Sequence, residues 1–148
     1  MRPTLICSWI LISLPLSAAE TGTISFTAGD QQKIPKMYQM EDHRFPYKMK
    51  LTKEMPTIKA KVYKVMFPSP VKSPHEVNNT VHAEYFLPDG DGPFPGVIVL
   101  HITGGDQTLS RSFSTHLAKK KIAALFVQMA YYGPRRPTKG HLRLLSTN

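Results

Sequence analysis

The sequence predicts an α/β fold in which a pair of antiparallel strands is followed by a parallel strand–helix–strand unit. Three observations lead to this prediction. Two segments rich in β-branched and aromatic residues flank a proline-containing loop, a continuously apolar segment ends in glycines, and an amphipathic segment separates it from a second apolar run. With 148 residues, the chain is long enough for one domain with its own hydrophobic core.

The antiparallel pair is predicted at residues 60–67, "AKVYKVMF", and 80–87, "TVHAEYFL". In the second segment, apolar residues alternate with His82 and Glu84, which is the two-residue period of a strand. The connecting loop begins with "PSPVKSP", which breaks the strand pattern. The same loop leads into "NNT" at 78–80, which matches the acceptor pattern for N-glycosylation.

The parallel unit is predicted from residue 97 onward. The run "VIVL" at 97–100 is apolar throughout, as in strands buried on both faces of a parallel sheet. Beyond the glycines, Leu109, Phe113 and Leu117 recur at the spacing of one helix face, which we expect to pack on the sheet. "IAALFV" at 122–127 is then a second buried strand, and a helix between two such strands predicts a βαβ unit.

The first twenty residues, "MRPTLICSWILISLPLSAAE", predict a signal peptide over residues 1–19. Arg2 precedes an apolar run, and small residues then suit cleavage between Ala19 and Glu20. The apolar run from Leu5 to Leu16 is shorter than the roughly 20 residues that a membrane-spanning helix needs. We therefore expect a secreted or periplasmic protein with no stable membrane anchor.

The net charge and the cysteine content of the chain restrict the partners and the means of stabilisation that we expect. The chain carries a formal net charge of +9, which by itself would favour nucleic acid as a partner. Predicted export argues against nucleic acid. The single cysteine, Cys7, lies within the predicted signal peptide, so the mature chain would depend on its core and not on disulfides.

Residues 20–59 show no sustained apolar period over "AGDQQKIPKMYQMEDHRFPYKMKLTKEMP". We interpret this region as an N-terminal arm or linker, with a short helix near residues 37–42. No histidine, cysteine or carboxylate spacing in the chain is typical of a metal site. No metal and no cofactor are expected.

A family resemblance emerges from three features together: the strand order, the loop "HITGG" at 101–105 and the stretch "YYGPRR" at 131–136. Residues 60–137 resemble the N-terminal half of secreted α/β hydrolases, nearest to the dienelactone-hydrolase and acetyl-xylan-esterase-like groups. The resemblance implies an incomplete α/β-hydrolase fold and, in the complete enzyme, a small-molecule or polysaccharide ester as substrate. The tail at 138–148, "TKGHLRLLSTN", does not continue it.

The resemblance also implies roles for the loop that follows the first parallel strand. In such enzymes backbone amides of this loop stabilise the oxyanion of the tetrahedral intermediate, and glycines allow close approach of the backbone. A glycine turn that merely links a strand to a helix would leave the same pattern. The implied oxyanion donors are the amides of Ile102, Thr103 and Gly104, the loop-structuring residues are His101 and Gly105, and the residues at the substrate mouth are Tyr132, Arg135 and Arg136.

The catalytic residues of that family are missing from the sequence. The nucleophile motif G-x-S-x-G does not occur, so no catalytic residue is predicted and enzymatic activity stays open. Ser110, Ser112 and Ser114 lie within the predicted helix without flanking glycines, and we expect them on the helix surface. The chain is therefore interpreted as an N-terminal fragment of an esterase-like hydrolase that is inactive alone and can self-associate through an exposed strand edge.

Two alternatives stay open. One is a non-catalytic secreted module that binds an acidic polymer or a membrane surface through a basic face of Arg135, Arg136, Lys139 and Arg143. The other is one half of a split hydrolase that a second chain completes.

Overall fold

The computed structural model describes residues 19–102 and 107–137, which form one six-stranded sheet and one α-helix. The sheet order is β1-β2-β3-β4-β6-β5. The elements are β1 (Glu20–Phe26), β2 (His43–Met55), β3 (Ala60–Pro68), β4 (Thr80–Pro88), β5 (Gly96–Leu100), α1 (Thr108–Lys119) and β6 (Ala123–Val127). Short 3-10 turns lie at Lys36–Tyr38, Pro56–Ile58, Glu76–Asn79 and Gly133–Arg135.

The sheet is mixed, and its two halves differ in strand direction. Strands β1 to β4 follow one another as antiparallel neighbours, and β6 pairs antiparallel with β4. Strand β5 pairs parallel with β6, and α1 connects the two. The predicted antiparallel pair and the predicted strand–helix–strand unit are thus confirmed, and the fold is α/β.

The region interpreted as an arm or linker contains two strands, so the expected lack of regular structure there is corrected. Strand β1 pairs with β2, and β2 pairs with β3 along most of its 13 residues. The half-buried residues of β2 alternate with exposed ones from Phe45 to Leu51. The short helix expected near residues 37–42 does not form; a 3-10 turn at Lys36–Tyr38 overlaps only its first two residues.

The hydrophobic core lies between α1 and the face of the sheet that α1 covers. Phe126 of β6 is fully buried at its centre, with Phe86 of β4 and Val99 of β5 beside it. Ala118 of α1 contacts this cluster, and Val62 extends it onto β3. Because burying a large side chain contributes about 1.5–3 kcal/mol, these contacts hold α1 against the centre of the sheet.

The buried stripe of α1 is shifted by one residue from the stripe that the sequence predicted. Ser110, Ser114 and Ala118 are buried, whereas Leu109 and Phe113 are 63% and 52% exposed. Both stripes have the same helical spacing, but the small side chains let the helix backbone approach the sheet closely. The Ser110 hydroxyl donates a hydrogen bond to the carbonyl of Leu100 at 3.3 Å. The prediction that Leu109 and Phe113 face the core, and that Ser110 and Ser114 do not, is therefore wrong.

Several exposed apolar side chains lie on β5, on α1 and at position 102, and others lie at the opposite end of the sheet, among them Ile24 and Phe26 of β1. Arg111 flanks the buried stripe of α1 on one side and forms an ion pair with Glu84 of β4. Leu109 and Phe113 flank that stripe on the opposite side, toward β5. We use the name apolar margin for the exposed apolar residues of β5, of α1 and at position 102. Its members are Val97, Ile98, Leu100, Ile102, Leu109 and Phe113. Ile98 and Leu100 lie on the sheet face opposite α1, because they alternate with the core residue Val99.

Candidate functional site

His101 lies at the carboxyl end of β5, where the resemblance implies an oxyanion loop. Its side chain is 5% exposed. The backbone N–H of Met129 donates to His101 Nε2 at 3.3 Å, and Nδ1 lies 2.9 Å from the carbonyl oxygen of Ile102. Since Nε2 accepts, the proton resides on Nδ1, which donates to that carbonyl. The imidazole thus links the segment after β5 to the segment after β6.

Aromatic rings hold the same imidazole from two sides. The ring of Tyr132 meets it edge-on at 4.7 Å between centroids, and Phe126 does so at 6.5 Å. Tyr132, implied as a residue of the substrate mouth, therefore packs against His101. These contacts are the ones that a loop-structuring histidine requires, and they leave neither ring nitrogen directed at solvent.

The remainder of the implied oxyanion loop is described in part. Ile102 is 59% exposed and belongs to the apolar margin. Thr103, Gly104 and Gly105 lie outside the described residues. The role of this loop as an oxyanion donor therefore stays a prediction.

Arg135 has a position that the sequence did not suggest. It is 6% exposed, and its guanidinium donates to the carbonyl of Gln128 at 3.1 Å and to that of Asn78 at 2.8 Å. Burial lowers the pKa of Arg135 from its ordinary value, while Tyr131 opposes the shift. The expectation that this charge faces a substrate is corrected: it fastens the turn at Gly133–Arg135 to two neighbouring segments. Arg136, by contrast, is exposed.

Asn78 completes the same junction. Its side-chain oxygen accepts a hydrogen bond from the backbone N–H of Tyr131 at 3.1 Å, and its side-chain nitrogen lies 3.4 Å from the Ser73 hydroxyl. The residue is 5% exposed. Although "NNT" matches the glycosylation pattern, the amide nitrogen that would carry the sugar is inside the folded protein.

A long cleft runs over β2, β3 and β4 on the face that carries α1, and we name it the basic groove. It consists of two adjoining cavities of about 540 and 810 Å³, which share His82 and Pro134. Lys53 and Lys64 line the first cavity. Lys48 and Lys72 line the second. These lysines were not among the residues that the sequence singled out, although "YKMKL" at 47–51 alternates lysine with apolar residues.

The electrostatics of the basic groove are unbalanced. Each cavity contains one carboxylate, Glu84 in the first and Glu76 in the second, and Arg111 engages both oxygens of Glu84 at 2.6–3.0 Å. His82 lies where the two cavities meet, and its Nδ1 atom is buried without a hydrogen-bond partner. Burial lowers the pKa of His82, and the positive charges of Lys64 and Arg135 lower it further. The imidazole is therefore harder to protonate than a free histidine.

Other site types find no support in the described part of the chain. Residues 19–102 and 107–137 contain no group of three histidine, cysteine, aspartate or glutamate side chains that could hold a metal ion. Within the same ranges, no helix is long and apolar enough to cross a membrane.

No protein-family model matches the sequence, and no curated protein is significantly similar to it.

Proposed function

We propose that this chain forms the N-terminal part of an exported α/β hydrolase that acts on carboxylic esters. The apolar margin is the observation that carries the proposal. Strand β5 has β6 as a neighbour on one side, and Ile98 and Leu100 are 71% and 58% exposed. Exposed apolar side chains on an edge strand are typical of a strand that another element or chain covers.

The strand order supports the same proposal. The order β3-β4-β6-β5 places the first parallel strand at the end of the sheet, with β6 between it and β4. The resemblance implies a further strand beside β5, and helices that pack on it. Such elements would bury the apolar margin and turn β5 from an edge strand into a central one.

The chemistry expected of this part is limited to one half of an oxyanion hole. Amides of the loop after His101 would stabilise the negative charge of a tetrahedral intermediate, an effect on the order of 3 kcal/mol per donor in acyl-transfer enzymes. The second donor and the nucleophile belong to G-x-S-x-G, which this sequence lacks. Ester hydrolysis therefore requires residues beyond these 148.

The decisive experiment is to sequence the gene beyond codon 148 and to assay the longer chain. We expect G-x-S-x-G downstream, in the same or a shifted frame, and hydrolysis of p-nitrophenyl acetate by the restored product. Replacing the motif serine with alanine should abolish that hydrolysis. The 148-residue chain is the matched control and should not exceed the uncatalysed rate. Turnover by the 148-residue chain, or an unrelated downstream sequence, would refute the proposal.

Export is a separate part of the proposal, and it depends on residues 1–19, of which 1–18 lie outside the described residues. We expect the mature protein to begin at Glu20. N-terminal sequencing of protein recovered from the periplasm or the medium measures this directly. Soluble cytosolic protein that retains Met1 would contradict it.

A non-catalytic binding module is the second candidate function. The observation that favours it is the basic groove, which needs no catalytic triad. The face first considered for such a module included Arg135, whose guanidinium is instead bonded to two carbonyl groups. If this chain binds an acidic polymer, the lysines of β2 and β3 are better placed to do so.

A further inference from the structure

Lysines oppose one another across two paired strands in and beside the basic groove; Lys50 itself is next to the cavity lining. Lys50 of β2 and Lys64 of β3 are direct cross-strand partners. Like charges at such positions destabilise a sheet. By the alternation of the strand, Lys48 shares the face of Lys50, so three lysines lie on one face of the sheet.

A β-bulge extends this row by one more lysine. The register between β2 and β3 shifts between Leu51 and Lys53, and Lys53 pairs with Val62 of the core-facing side. Thr52 donates its hydroxyl hydrogen to the carbonyl of Val62 at 3.0 Å, which fixes the bulge. Thr52 and Lys53 both line the first cavity. Without the bulge, strand alternation would direct Lys53 to the other face of the sheet.

The carboxylates near the row do not neutralise it. Glu84 is the cross-strand partner of Lys64 but is engaged by Arg111, and Glu76 lines the second cavity. Within the described residues neither carboxylate forms an ion pair with Lys48, Lys53 or Lys64. A ligand that brings anionic oxygens to this surface would offset its excess of positive charge.

The length of the row distinguishes between kinds of anion. Lys48 and Lys53 are five residues apart on one strand, which corresponds to about 16 Å. A single phosphate or carboxylate can contact one or two of these side chains, whereas a chain with repeated anionic groups can contact all of them. The apolar walls formed by Met55, Met66 and Phe86 suit a ligand with an uncharged, partly apolar backbone.

We propose that the basic groove binds a linear carboxylated polysaccharide, whose successive carboxylates contact Lys48, Lys50, Lys64 and Lys53. Predicted export favours a polysaccharide over a nucleic acid as the polyanion that the chain meets. This binding site does not depend on ester hydrolysis, because it uses none of the residues of the oxyanion loop.

The first test measures binding of the purified chain to polygalacturonate at several salt concentrations. The unaltered chain should bind polygalacturonate and not neutral dextran. The double variant Lys50→Gln/Lys64→Gln should bind at least about tenfold more weakly. The slope of its binding constant against salt concentration, on logarithmic axes, should fall by the equivalent of about two released counterions. The matched control Lys33→Gln/Lys36→Gln removes the same charge from an exposed turn outside the groove and should bind like the unaltered chain.

Three results would overturn the proposal. They are equal loss of binding in both double variants, equal binding of dextran, and tighter binding of mixed-sequence single-stranded DNA than of polygalacturonate. The last would assign the groove to nucleic acid.

A second measurement needs no variant. Acetylation of lysines in the unaltered chain, followed by mass spectrometry, should show protection of Lys48, Lys50, Lys53 and Lys64 by polygalacturonate. Lys33 and Lys36 should react equally with and without the polymer. Uniform reactivity of all six lysines would also refute the proposal.

Discussion

The β5 side of the sheet and the β2–β3 side expose different chemistry. The apolar margin presents Ile98, Leu100 and Phe113 to solvent. The basic groove presents lysines from β2 and β3 beside α1. Exposed apolar area is unfavourable in water and favours contact with another protein surface, whereas ammonium groups are stable in water and attract anions. The proposals for the two sides differ accordingly: a polypeptide neighbour on one and a soluble anionic ligand on the other.

The largest expected effect concerns the association state. We expect the purified chain to self-associate through the apolar margin, because an apolar edge strand is open to pairing with another chain. The double variant Ile98→Lys/Leu100→Lys should elute as a monomer in size-exclusion chromatography. Both positions are exposed, so the variant should keep its fold.

A control for this prediction is available on the opposite edge strand. Thr21→Lys/Thr23→Lys adds the same charge to exposed positions of β1. This control should associate like the unaltered chain. A cooperative monomer without any substitution would remove the basis for treating the two sides of the sheet differently.

A pair of phenylalanines tests whether the apolar margin contributes to stability. Phe126→Ala should lower the free energy of unfolding by about 3–5 kcal/mol, since the ring is fully buried and leaves a cavity. Phe113→Ala removes the same atoms from a ring that is 52% exposed, and the loss should be below about 1 kcal/mol. Urea unfolding measures both. Similar losses would show that a neighbour already covers Phe113 in the purified protein.

The pH dependence of stability tests the charge environment of the basic groove. Burial and the charges of Lys64 and Arg135 lower the pKa of His82 in the folded state. Below the ordinary histidine pKa of about 6.5, the unfolded chain takes up a proton that the folded chain resists, so stability falls as the pH falls. The loss ends once the pH drops below the folded pKa.

The measurement compares variants by urea unfolding between about pH 7 and about pH 5, the window in which histidine ordinarily titrates. His82→Gln should reduce the decrease in stability. His43→Gln, at an exposed position, should leave it unchanged. An identical pH dependence in all three proteins would mean that His82 titrates as it does in the unfolded chain.

The smallest expected effect comes from the opposed lysines. Lys50→Glu should raise the free energy of unfolding by about 0.2–1 kcal/mol, because it replaces repulsion across β2 and β3 with attraction to Lys64. Lys33→Glu serves as the control for net charge. A fall in stability with Lys50→Glu would show that the groove lysines do not repel each other in the folded chain.

The sequence predicted strands correctly where the periodicity of the apolar residues matched the burial of the strand in the sheet. Strands β3, β4, β5 and β6 have strong apolar patterns, and each lies within about two residues of its expected place. Strand β2 also carries a signal, since Phe45, Tyr47, Met49 and Leu51 alternate with polar residues or proline. The flanking charges and prolines obscured it. Strand β1, "ETGTISF", has a mostly exposed pattern and is recognisable chiefly through its pairing with β2.

Less of the candidate site than of the fold could be predicted from the sequence. The position of His101 at the end of β5 could be anticipated, but its contacts with Met129 and Tyr132 join segments about 30 residues apart. Arg135 was expected at the surface because arginine is usually exposed. It is buried because two carbonyls, one of them 57 residues away, converge on its guanidinium.

The sequence by itself determined the α/β class and the order of the strand–helix–strand unit, because these depend on local periodicity. Tertiary structure decided which stripe of α1 faces the sheet, since Leu109–Phe113 and Ser110–Ser114 have the same spacing and differ only in how closely they let the helix approach. It also decided that lysines distant from the glycine loop share one groove. Strand register and a bulge, neither of which is a local property, bring them together.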